Sequence, residues 1–180
     1  MESYDWALEA YRSGAVFTAF DIETTGLDAQ KDRIVELGAV KFDRRGPISR
    51  FNVLINPGIP MPPEAGRVNH ITDGMLAGQP PLEAVLPDFL RLVRDSVVIA
   101  HNAPFDCGFV NQKLKDSHEP VLPNRIVDTL VLCRRVFPGR NSYKLQDLAA
   151  FLKINAVSAH RAEDDARLCM ELFIACVQVS

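Results

Sequence analysis

An apolar run, Ala15–Phe20, leads directly into Asp21-Ile22-Glu23, and this junction constrains the chain more than any other. The run has the composition of a buried β-strand. Strand alternation puts Asp21 and Glu23 on one face and Ile22 on the other. Two like charges side by side at a strand end repel, so they need a cation or a raised pKa. Hard divalent cations with oxygen ligands, Mg²⁺ or Mn²⁺, match such a pair.

The strand belongs to a larger pattern. Thr24-Thr25-Gly26 is a turn signal, and Arg33 to Phe42 follows as a second strand with a glycine inside. The turn Asp43 to Pro47 leads to a third strand, Ser49 to Ile55. Strands joined by short turns suggest an antiparallel meander. Residues 57–66 are rich in proline and glycine and read as an ordered surface loop. Leu82 to Val93 has helical period, and Val97–Ala100 reads as a central parallel strand. A helix is expected from Pro104 to about Lys115, another after the cap Asp128-Thr129, a short one at Leu145 to Leu152, and a last from about Arg161 to Val177. Strands first, then strand and helix alternating, predict an α/β fold with a mixed sheet.

Two further places bring acids. Asp106 lies three and four residues before Phe109 and Val110, which puts it on the apolar stripe of its helix, facing the sheet. Asp165 lies four before Cys169, on a stripe continued by Leu172, Cys176 and Val179. Asp164 is rotated about 100° from it and is expected to face solvent. His160, roughly 140° around in a continuous helix, belongs to the loop or first turn. Four carboxylates can hold two divalent ions about 3.5–4 Å apart, an arrangement suited to in-line displacement at phosphorus. A histidine with an ordinary pKa of about 6.5 can take a proton from the attacking water.

The segments FDIETTGL, HNAPFDCGFV and HRAEDD, in this order, resemble the three motifs of the DEDD exonucleases, histidine subgroup, among them the proofreading epsilon subunits of bacterial DNA polymerase III. The likeness spans residues 15–177. It implies a ribonuclease H-like fold, α/β with a central mixed five-stranded sheet flanked by helices, and 3′→5′ exonuclease activity. It implies metal ligands at Asp21, Glu23, Asp106 and Asp165, with His160 as general base. Thr24, Thr25, Gly26 and Leu27 would line the terminal-nucleotide pocket, with Leu27 against the last base. Val68 to Thr72 is similar to the family's His-Gly-Ile-Thr segment beside that pocket, with His70 the candidate base contact; this chain lacks the glycine. His101 and Asn102 would sit beside the metals, and Phe105 would stack or pack there. Arg134, Arg135, Arg140, Lys144 and Arg161 are candidate phosphate contacts.

The partner implied is the 3′ end of DNA, preferably single-stranded or frayed. An exoribonuclease, a short-oligonucleotide scavenger and an end-binding or polymerase-docking subunit are the alternatives. Residues 1–14 read as a helical extension and 15–180 as a single exonuclease domain. The family's epsilon subunits carry a C-terminal polymerase-binding tail; this sequence closes at Ser180, soon after the last helix, which leaves a stand-alone nuclease and a piece of a longer protein both open. The charge balance, 20 Lys+Arg against 23 Asp+Glu, excludes gripping a polyanion by bulk charge alone. No apolar run reaches the ~18–20 residues of a membrane span, and no secretory signal is visible. The four cysteines form no Cys-x-x-Cys pair and read as buried, reduced thiols, from which a cytoplasmic location is expected.

Overall fold

The computed structural model describes residues 4–157 and 160–180. The first three residues of the expected helical extension lie outside this range. The helices are α1 (Asp5–Arg12), α2 (Pro63–Asn69), α3 (Asp73–Leu76), α4 (Leu82–Val93), α5 (Ala103–Asp116), α6 (Thr129–Val136), α7 (Leu145–Phe151) and α8 (Ala162–Val179). The strands are β1 (Phe17–Thr24), β2 (Ile34–Asp43), β3 (Gly46–Leu54), β4 (Val97–Ala100) and β5 (Ile126–Asp128). They form one five-stranded mixed sheet in the order β3-β2-β1-β4-β5. The meander β1-β2-β3 is antiparallel, and β4 and β5 add in parallel.

Alternation on β1 divides the molecule. Phe17 and Ala19 face α1, α6 and α8, where Tyr11, Phe42 and Phe173 complete an aromatic cluster; the Phe17 and Phe173 rings lie 4.9 Å apart. Phe20 and Ile22 face α4 and α5, against Phe89, Phe109 and Val110. Each Phe fully buried on these faces contributes roughly 1.5–3 kcal/mol relative to exposure. Asp21 and Glu23 continue the α8 face past the point where apolar packing ends.

The 57–66 loop is shorter than the sequence suggests, because Pro63 begins α2. Proline is tolerated at a first helical position, where its missing N–H has no partner to lose. Pro47 lies within β3, an edge strand, where the missing donor breaks no inner ladder. Val179 is 63% exposed rather than on the buried stripe, because the last turn of α8 runs beyond the core. Among the described residues no helix is long and apolar enough to cross a membrane.

Candidate active site

The site forms where β1 outruns β4. The ladder between them ends at the pair Ala19 and Ile99, one residue short of the end of β4, while β1 continues to Thr24. On that bare edge the Ile22 N–H donates to Asp106 Oδ1 at 3.2 Å. This bond ties the first turn of α5 to the strand and places a buried carboxylate beside Asp21. From the opposite layer, α8 delivers Asp165. Its approach depends on Gly38, the cross-strand partner of Asp21. A Cβ at Gly38 would overlap the backbone of Ala162 and Glu163. The helix start therefore rests on bare strand.

Three carboxylates, from Asp21, Glu23 and Asp165, bring oxygens within 4.8 Å of one another. Burial pushes all four acids up, and neighbouring carboxylates add to the rise. Asp21 rises well above the usual range, by desolvation first, then by Asp106, Asp165, Glu23 and Glu36. Glu23 rises to about 8, by desolvation and then by Asp165, Glu36 and Asp106. Asp106 also rises to about 8, chiefly by desolvation. Asp165 reaches only about 6, because the His160 charge and a hydrogen bond from Gln146 oppose its burial. The Gln146 Nε2 to Asp165 Oδ1 distance is 2.6 Å. Clustered, desolvated, all-oxygen donors fit a hard divalent cation, whose charge would relieve the repulsion.

His160 is exposed, with φ 61°, and shares a cleft of about 330 Å³ with Asp21, Asp165, His101, Lys144 and Gln146. His101 is already committed. Its Nε2 lies 2.8 Å from the Tyr143 carbonyl and its Nδ1 2.9 Å from Thr129 Oγ1. A carbonyl only accepts, so Nε2 carries the proton, and burial lowers the pKa of the ring. His101 thus braces the loop before α7 and has no free nitrogen for proton transfer. Asn102 adopts the left-handed conformation at φ 66° and donates its N–H to Asp128 Oδ1, turning the chain from β4 into α5. Phe105 packs on Phe109, ring centroids 5.0 Å apart.

The turn after β1 is internally bonded. Thr24 Oγ1 donates to the Gly26 carbonyl, Thr25 Oγ1 accepts from the Arg33 N–H, and a Cβ on Gly26 would strike the Asp32 carboxylate. Leu27 stands out as an apolar side chain at 86% exposure. His70 occupies the left-handed position that ends α2 and points to solvent. Asn69 is the residue turned inward, 2% exposed, donating to the Thr24 carbonyl at 3.4 Å and bonding Glu23. Sequence reasoning missed it because the rotation of a residue at a helix end depends on the backbone there.

One expectation needs correction and one candidate is otherwise engaged. Arg161 forks onto Glu36, a carboxylate with no exposure, while its own side chain stays 34% exposed. A lone acid inside the apolar stretch IVELGAV was the available signal for Glu36. Asp164 is off the stripe but does not face solvent; Arg167 and the Val157 N–H cover it, leaving its side chain 9% exposed. Of the other basic candidates, Arg135 pairs with Asp5, the Arg140 guanidinium lies over the Phe151 ring, and the Arg134 guanidinium lies 5.7 Å from the Tyr143 ring centre. Lys144 is exposed at the cleft.

A mixed sheet with acids gathered where its central strand outruns its neighbour defines the ribonuclease H-like class. Residues 18–173 match the exonuclease (RNase_T) family model. The DNA polymerase III subunit epsilon of Treponema pallidum (strain Nichols) is 48% identical over 172 residues, 94% of this chain and 80% of that protein. A PolC-type DNA polymerase III of Clostridium perfringens is 38% identical over 156 residues, of which this chain spans 11% of the length. Among solved structures, exonuclease X in complex with 5′ overhanging duplex DNA matches with a TM-score of 0.75 and 28% identity, over 91% of this chain and 92% of that one. The chain belongs to the exonuclease family.

Proposed function

We propose that the protein removes nucleotides one at a time from the 3′ end of DNA, single-stranded or frayed, releasing nucleoside 5′-monophosphates. The observation that carries this reading is the meeting of Asp21, Glu23 and Asp165 within 4.8 Å, beside a cleft lined by Asp21, Asp165 and His160. Asp21, Glu23, Asp106 and Asp165 are proposed to hold two Mg²⁺ or Mn²⁺ ions, which would supply a water of lowered pKa and stabilise charge on the leaving 3′-oxygen. The chain's own groups do the rest. His160, exposed and next to Asp165, accepts the proton of the attacking water, as in the histidine subgroup. Leu27 presents its apolar face to the terminal base. The Thr24–Gly26 turn brings backbone close to the sugar, and Asn69 braces that turn against Glu23. Lys144 offers a positive charge to a phosphate entering the cleft.

DNA as substrate is supported by the epsilon-subunit relative and by the DNA-bound structural neighbour. The epsilon-subunit relative also supports a DNA polymerase as partner. Four buried thiols without a disulfide fit work in the reducing cytoplasm. The test is a time course with 5′-labelled single-stranded DNA and Mn²⁺, run beside the same RNA sequence. A descending ladder that EDTA stops, faster on DNA, is expected. Intact label on both polymers would sink the proposal, and faster trimming of RNA would reassign the substrate.

A further inference from the structure

His160 stands outside α8 in a left-handed conformation, with its side chain in solvent. Its position must therefore come from its neighbours, and the next two residues are pinned. Arg161 Nε donates to Glu36 Oε2 at 3.0 Å and Arg161 Nη2 to Glu36 Oε1 at 2.7 Å. The Ala162 N–H donates to Glu36 Oε2 at 3.2 Å. Glu36 has no solvent exposure and lies in an inner strand, so its carboxylate is a fixed point. The fork geometry fixes the direction of the guanidinium as well as its distance.

We propose that Glu36 is a positioning residue that acts through Arg161 and Ala162 to hold His160 over the acid cluster. Asp165 does not need this anchor in the same way. It is carried by α8, which rests on Gly38 and the sheet, and it is bonded by Gln146 from α7. The pair is also placed economically for charge. Glu36 lies directly across the ladder from Glu23 and adds to the repulsion there, and the guanidinium offsets part of that buried negative charge. The inference rests on His160 being the general base.

The test is a double-mutant cycle between Glu36→Gln and His160→Ala, read as kcat and KM on a single-stranded DNA oligonucleotide, with Mn²⁺ affinity measured by calorimetry. Glu36→Gln leaves no unpaired buried charge, and Arg161 is partly exposed and can be solvated. In the parent background it should lower kcat about tenfold or more, with KM and Mn²⁺ affinity within about threefold. In the His160→Ala background it should lower kcat less than about twofold, because the group it positions is gone. Arg161→Lys keeps the charge and loses the fork, and should repeat the pattern if Glu36→Gln folds poorly. Equal losses in both backgrounds, or a parallel fall in Mn²⁺ affinity, would overturn the positioning role while leaving the general base standing. Full kcat in His160→Ala alone would bring down the general-base reading and this inference with it.

Discussion

Asp21 is the residue on which the electrostatic cost of the site converges, since Asp106, Asp165, Glu23 and Glu36 each oppose its ionisation. Replacing it with asparagine preserves shape and removes the charge. Two consequences separate function from fold. Turnover should fall at least about a hundredfold, roughly 2.7 kcal/mol of barrier, because an oxygen ligand is replaced by a neutral amide. The metal-free protein should melt at the same temperature or higher, because repulsion is relieved. A melt in EDTA checks the second point, and a markedly lower melting temperature would contradict the account of the cluster as a destabilised arrangement. Leu27 illustrates the complementary case. It is 86% exposed, so Leu27→Ala should leave stability unchanged within about 0.5 kcal/mol, as for other surface positions, while raising KM for DNA. Unaltered KM would remove it from the proposed nucleotide pocket.

At the scale of elements, the contact of α8 with β2 decides whether the acids meet. Gly38→Ala places a methyl group where the Ala162 and Glu163 backbone lies. Backbone cannot step aside as a flexible side chain can. The helix start should move outward, at a stability cost of about 1–3 kcal/mol for overpacking, and turnover should fall more than stability does. Thermal melts beside kinetics read this out; a variant with normal turnover would mean that the helix start tolerates displacement. The same element shows how far the sequence could be read. Asp165 was legible because helical period ties it to Cys169, and Asp106 because it aligns with Phe109 and Val110. Asp21 and Glu23 followed from strand alternation. These are local rules. Gly38 was visible only as a glycine in a strand, since the helix it admits lies more than a hundred residues away. The Glu36–Arg161 pair is equally non-local. β5, at three residues, is too short to display alternation, and the start of α2 was hidden in a proline-rich stretch that reads as a loop. Asn69 was not singled out because its burial is set by the left-handed end of α2, which turns it inward and leaves His70 exposed.

For the whole molecule, the acid cluster sets how stability responds to pH and to metal. The folded-state pKa values of Glu23 and Asp106 are pushed up to about 8 and that of Asp165 to about 6. Ordinary unfolded values are about 3.9 for Asp and 4.3 for Glu. Between those limits the folded state binds more protons than the unfolded state, so the sign is fixed: stability falls as pH rises. The contribution of each group is fully present below its unfolded pKa, and is lost as pH passes about 6 for Asp165 and about 8 for Glu23 and Asp106. A divalent cation competes with those protons and replaces them in balancing the cluster. Metal-free protein should therefore melt progressively lower from pH 5 to pH 8, apart from the titration of other groups, and added Mn²⁺ should raise the melting temperature more at pH 8 than at pH 5. At a concentration of ~100 Kd a single bound ion adds about 2.7 kcal/mol, which for a domain of this size is a rise of about 5–10 °C. Melting curves across pH, with Mn²⁺ and with EDTA, measure both slopes. The variant Asp21→Asn supplies the control, since the metal-dependent rise at pH 8 should shrink when one ligand is lost. A metal response independent of pH would show that the ion does not displace protons from these carboxylates.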